Sequence, residues 1–191
     1  MRFDLAARKF DWGLQIQPSP AGLGARPFDP NAAVGPRPSL QLHLNNIIVD
    51  DAAMYVSGRK LAALLRVSGD RLSVFAALPL GTHNARPFAG GILVNDTEAD
   101  TVCWMLPDRR VAIPVPRYPE GDLLNDKFDE SGVARQAFGR GLCPLSETIV
   151  AGGSSPSTVS IYDIAKGLRL KSVNITMDVR NAVHGMAVWP N

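Results

Sequence analysis

Residues 45–58, NNIIVDDAAMYVSG, read as a strand, a tight turn at Asp50-Asp51 and a second strand, because β-branched and aromatic residues flank a pair of turn-forming aspartates. Two further stretches lie under it without gaps, HNARPFAGGILVND (83–96) and RGLCPLSETIVAGG (140–153). The segments C-terminal to these three also align. LAALLRVSGDRLSVFAAL (61–78), DTVCWMLPDRRVAIPV (100–115) and STVSIYDIAKGLRLKSVNI (157–175) each run strand, polar turn, strand. The unit is thus four strands long and recurs about every 45 residues, a period typical of stacked or circular repeats. The segment with the best helical pattern, GRKLAALLRV (58–67), is assigned to strand by this alignment.

The ends of the chain fit the same template. The opening, MRFDLAARKFDWGLQI (1–16), places Phe3-Asp4-Leu5-Ala6 under Tyr162-Asp163-Ile164-Ala165, and the closing HGMAVWPN (184–191) matches a first strand and stops. A chain that opens on two outer strands and ends on an inner one predicts pairing of 1–17 with 182–189, which hides edge strands prone to aggregation. The expected fold is therefore all-β: a β-propeller of about four repeats, or part of a larger propeller, with 1–191 as a single domain and the chain ends completing one blade. A β-sandwich explains the strands but not the repeat. The stretch TIVAGGSSPSTVSIYDI (148–164) resembles a kelch blade, with a Gly152-Gly153 doublet ending one strand and a Tyr162-Asp163 pair ending the next. Two long connections interrupt the pattern. Residues 18–38 hold six of the fifteen prolines and three glycines, which predicts an extended loop, and 118–138 form a long inter-blade insertion.

Composition narrows the class. With 46% hydrophobic and 20% charged residues, the 191-residue chain has the balance of an ordinary globular protein. A net charge of +2, without a basic block interleaved with aromatics, argues against nucleic acid. No apolar run approaches a signal-peptide core or a membrane span, so a cytoplasmic location is expected. Cys103 and Cys143 match no metal-knuckle spacing and read as two reduced, partly buried thiols.

The three histidines are ordered by the repeat. His83 and His184 share a column with Asn45 and Arg140 at the start of the innermost strand, and His43 lies two residues before Asn45, on the same face of an extended strand. In a propeller that column converges on the axial channel. Three imidazoles, His43, His83 and His184, would suit a divalent metal such as zinc or iron with an open position. Resemblance to propeller oxygenases and lyases, which hold iron or zinc through axial histidines, implies the same. Arg140 does not ligate a cation and suits a carboxylate or phosphate instead. A third reading makes the column structural, its polar side chains satisfying buried backbone groups between blades.

Other motifs carry less. Asp96, Glu98 and Asp100 alternate as calcium ligands do, but the glycine and final glutamate of a calcium loop are missing, and a solvated hairpin is the simpler reading. Gly139-Arg140-Gly141 lacks the Lys-Ser/Thr of a phosphate loop, and no serine sits in G-x-S-x-G. The insertion 118–138, with Asp122, Asp126, Asp129 and Glu130, is expected to cap the pocket or meet a partner. The functional expectation is a propeller that binds a small molecule through Asn45, His83, Arg140 and His184, with metal-dependent lyase or hydrolase chemistry if an ion is present. The alternative is a protein-interaction scaffold using anchors such as Phe28, Tyr118 and Phe128, and a homodimer is compatible with either.

Overall fold

The computed structural model describes residues 1–20, 22–51, 53–126 and 135–189. Among these, strands account for nearly all regular structure, and the 3-10 turn Glu120–Asp122 is the one helical element. The chain divides into two compact units, Met1–Leu78 and Pro79–Asn191.

The first unit opens on a three-stranded antiparallel sheet, β1 (Arg2–Asp4), β2 (Lys9–Ser19) and β3 (Gly22–Phe28). Next comes a four-stranded meander: β4 (Leu44–Val49), β5 (Met54–Gly58), β6 (Ala63–Ser68) and β7 (Arg71–Ala77). Alternation along β2 builds the core. Trp12, Leu14 and Ile16, with Leu23 of β3, pack against Val56, Leu65 and Val67 of the second sheet. Gln15 and Gln17 fall on the opposite face, where they line a cleft with Arg26 and loop residues 32 and 34–37.

The second unit holds two more meanders. β8 (Thr82–Phe88), β9 (Gly91–Asp96), β10 (Thr101–Met105) and β11 (Arg110–Pro114) form one, and β12 (Phe138–Pro144), β13 (Ile149–Ser155), β14 (Thr158–Asp163) and β15 (Leu168–Asn174) the other. Leu93, Val102 and Ile113 of the first pack on Leu142, Val150 and Tyr162 of the second, all nearly inaccessible. Each such side chain contributes about 1.5–3 kcal/mol on burial.

The three four-stranded sheets share a local irregularity as well as a strand order. In each four-stranded sheet the pairing of first and second strand slips at one place: between Leu44 and Asn46, between His83 and Arg86, and between Gly139 and Gly141. A β-bulge there leaves a residue unpaired and re-aims its side chain. Aspartates end strands in a common way, with Asp4, Asp96 and Asp163 each accepting from the backbone N–H three residues on, at 2.8, 3.1 and 3.1 Å. The alignment of Asp4 with Asp163 thus corresponds to one turn design.

Three expectations differ from the structure. The Pro/Gly-rich stretch 18–38 is not one loop, since β2 runs to Ser19 and β3 occupies Gly22–Phe28. Pro18 and Pro27 sit in outer positions of a narrow sheet, where a missing donor is tolerated. The opening sheet has three strands, not two. Residues 182–189 add no strand to any sheet. Val183 instead crosses the sheet of β12–β15, accepting from Gly141 N at 2.9 Å and donating to Ser154 O at 3.4 Å.

The glycine doublet has a packing cause. A Cβ on Gly152 would stand 2.8 Å from the Tyr162 ring, and one on Gly153 would stand 2.5 Å from the Val183 carbonyl oxygen. One glycine admits the core tyrosine and its neighbour admits the C-terminal segment, on opposite faces of β13.

Candidate functional site

The bulge in β12 positions Arg140. Its two successive carbonyls, Arg140 O and Gly141 O, accept from Asn84 Nδ2 and Asn95 Nδ2 of the neighbouring sheet, both at 3.1 Å. Asn84 reaches its partner from a left-handed conformation, φ +54°, inside the matching bulge of β8. Gly139 lets Asn95 approach, because a Cβ there would stand 2.9 Å from Asn95 Oδ1. Two amides, neither of them from the aligned column, therefore bridge the sheets where the first strands begin.

Phe138 organises what stands above this bridge. The Arg140 guanidinium lies 4.5 Å from its ring centroid, within cation–π range, and the His83 ring meets its edge at 5.1 Å and 73°. Arg135 also approaches the ring, at 5.1 Å. His83 is buried, its Nδ1 3.3 Å from Gly81 O. Arg140 Nη1 faces His184 Nε2 at 3.4 Å. Burial, and then the positive charge of Arg140, hold the His184 pKa below the ordinary histidine value, so the ring is neutral at neutral pH and accepts from the guanidinium.

Of the residues singled out by sequence, His83, Arg140 and His184 share this neighbourhood, linked through Phe138 and the guanidinium. His43 and Asn45 belong to the first unit. There His43 adopts φ +46° and its carbonyl accepts from Arg59 N at 3.0 Å, while Asn45 Oδ1 accepts from Ser57 Oγ at 3.2 Å. Among the described residues no group of three His, Cys, Asp or Glu side chains is placed to hold a metal ion. The second unit supplies two imidazoles, one of them facing a guanidinium that repels a cation, and this donor set suits an anion better than zinc or iron.

The remaining motifs resolve into structure. Asp96 pairs with Arg110 at 2.6 Å, and Asp100 takes both Arg117 and Arg135, the latter at 2.6 Å. These carboxylates are matched by arginines and leave no calcium cradle among the described residues. Arg117 precedes the insertion and Arg135 lies near its end, and Tyr118 N donates to Gln136 Oε1 at 2.9 Å, so one aspartate gathers its base. Leu124, inside the insertion, exchanges backbone bonds with Met177 and Val179. Asp129, Glu130 and Phe128 lie outside the described residues. Cys103 and Cys143 are free and buried; burial raises the Cys103 pKa, although Arg110 Nε stands 2.9 Å from its sulfur.

Sequence reasoning passed over Phe138, Asn84 and Asn95. The available signal was the glycine pair flanking Arg140, which reads as close backbone approach once a phosphate loop is excluded. No helix among the described residues is long and apolar enough to cross a membrane. No protein-family model matches the chain, and no curated protein resembles it at a significant level.

Proposed function

We propose that the four sheets are propeller blades and that the second unit binds a small anion, a carboxylate or phosphate, at Arg140. The observation that carries the anion reading is the fixed guanidinium. Phe138 supports one face, the Asn84 and Asn95 bridges hold its backbone, and a neutral His184 accepts from it. A guanidinium pre-positioned in this way loses little freedom when it pairs with an oxyanion. His83 and His184 then supply N–H donors or acceptors to the rest of the ligand according to tautomer.

The blade reading is supported by the repeated meander, the shared bulge and the face-to-face packing of sheets within each unit. Closure of such a ring in one chain would require 184–189, which add no strand to any sheet above and expose Val188 and Trp189, to pair with β1. A Phe3→Cys, Val188→Cys pair would then oxidise to an intramolecular disulfide in the monomer. Failure to cross-link, or cross-linking only between copies, refutes closure in a single chain.

The scaffold alternative is less supported. Tyr118 is engaged with Thr158, hydroxyl to hydroxyl at 3.0 Å, and the Phe28 ring lies against Gly13. The anion reading is tested by titrating citrate and inorganic phosphate while following the His83 and His184 imidazole signals by NMR. A saturable shift, abolished in Arg140→Gln, is expected, together with an upward move of the His184 titration midpoint on binding. Shifts that stay linear and identical in Arg140→Gln refute it. Stoichiometric zinc or iron in the purified protein would restore the metal reading.

A further inference from the structure

A second concave site lies in the first unit, on the face of the β2–β3 hairpin that turns away from the core. Alternation decides which side chains stand there. Trp12, Leu14 and Ile16 pack inward, so Gln15 and Gln17 occupy the other face, and Arg26 joins them as the register partner of Gln15. With Asp29 and loop residues 32 and 34–37 they line a cleft of about 440 Å³, inside the range of small-molecule sites, about 300–1,000 Å³. The start of the loop is tied to the hairpin. Asn31 Nδ2 donates to Phe10 O at 2.8 Å, and Asn31 N donates to Asp29 Oδ1 at 2.9 Å. Both arginines of the cleft precede a proline, in Arg26-Pro27 and in Pro36-Arg37-Pro38, which confines each backbone to extended conformations.

Charge decides what such a cleft admits. Arg26 and Arg37 line it, and among the described residues neither side chain has an ion-pair partner. Asp29 is the one carboxylate among the described residues that line it, and one of its oxygens already accepts from Asn31 N. Two unneutralised guanidiniums beside two carboxamides form a set of donors suited to a phosphate dianion, whose oxygens accept from several forks at once. The volume exceeds what a phosphate ion fills. Asp29 opposes a second anionic group there and accepts from a hydroxyl instead. We propose that this cleft binds the phosphate monoester of a small polyhydroxylated molecule. The phosphate sits between Arg26 and Arg37, Gln15 and Gln17 donate to it or to the hydroxylated part, and Asp29 accepts from a ligand hydroxyl. The arginines are exposed, so water screens them and affinity lies near the millimolar range.

The test is an NMR titration of the intact protein with glucose 6-phosphate, ribose 5-phosphate and glycerol 3-phosphate, to about 20 mM against an expected dissociation constant of about 1 mM. At least one ester is expected to shift the Gln15 and Gln17 side-chain amide signals saturably. Glucose should leave them unmoved, and inorganic phosphate should bind severalfold more weakly than the best ester. Binding should weaken at least fivefold in Arg26→Gln and in Arg37→Gln, whose exposed side chains make misfolding no explanation. It should persist in Arg140→Gln, which separates this cleft from the anion site of the second unit. No saturable shift with any of the three esters overturns the proposal. So does binding unchanged in Arg26→Gln or in Arg37→Gln, binding lost in Arg140→Gln, or a response to glucose or inorganic phosphate as strong as to every ester.

Discussion

Gly153→Ala tests how the C-terminal segment is held against the sheet of β12–β15. A Cβ at this position would stand 2.5 Å from Val183 O, 2.7 Å from Val183 Cγ1 and 2.8 Å from Val183 Cβ. The nearest atom is backbone, and it is already tied to Gly141 N at 2.9 Å. Relief by a side-chain rotation is therefore not open to it. Gly153 lies outside the left-handed region, so alanine would otherwise stabilise by about 0.4–1 kcal/mol by restricting the unfolded chain. Overpacking opposes this with about 1–3 kcal/mol, and displacing the segment forfeits its hydrogen bonds to Gly141 and Ser154 at about 1 kcal/mol each. The unfavourable terms win, and a net loss of about 2–5 kcal/mol is expected. Urea unfolding would show a lower midpoint at unchanged slope, and trypsin would cut after Arg180 faster than in the parent. Gly185→Ala is the control, because a Cβ there meets nothing within 4 Å. A Gly153→Ala protein with the parent midpoint and the parent cleavage rate at Arg180 refutes this account of the segment.

Asp100→Ala removes the carboxylate shared by Arg117 and Arg135 and should cost about 1–2 kcal/mol, with faster proteolysis confined to the insertion as its mass-spectrometric signature. Asn95→Ala leaves Gly141 O without its donor at the sheet bridge; a loss of about 1–3 kcal/mol in urea unfolding is expected, and the His184 signal should move with it. Arg180, by its hydrogen bonds first, lowers the Asp178 pKa from 3.8 to about 2. The folded value lies below the unfolded one, so this contribution is complete above about pH 4 and is lost as pH falls toward 2. Asp178→Asn should flatten that part of the stability profile. His184 behaves in the opposite range: its lowered pKa means the unfolded chain binds the proton more readily, so stability falls as pH drops below the ordinary histidine value. Arg140→Gln, by removing the neighbouring positive charge, should raise the midpoint measured by NMR.

Strand order was legible because alternation and turn chemistry are local. The runs 44–49, 91–94 and 159–164 sit almost wholly inside β4, β9 and β14, and GRKLAALLRV resolves into the end of β5, a turn through Ala62 at φ +52° and the start of β6. Residues 18–28 misled because proline and glycine density signals loops only where backbone donors are needed. The hairpin of β2 and β3 is narrow enough to leave them unneeded. The site was half legible. Aligning the segments brought His83, Arg140 and His184 together, whereas Phe138, Asn84 and Asn95 act through contacts between sheets that strand alternation does not encode. The two-unit division was equally hidden, since it depends on which sheet faces pack together.

The bulges connect these observations. A regular first strand would alternate its side chains strictly between two faces. One extra residue per strand breaks that alternation at Asn45, at Asn84 and Ala85, and at Arg140. At the third site the extra residue also turns two successive carbonyls toward the same neighbouring sheet, where Asn84 and Asn95 meet them. The same irregularity thus provides the inter-sheet bridge and releases the arginine side chain from the core faces. At Arg140 the main chain accepts the inter-sheet bond from Asn84, while the guanidinium lies over Phe138 and faces His184, so the anion proposal and the bridge draw on different parts of one residue.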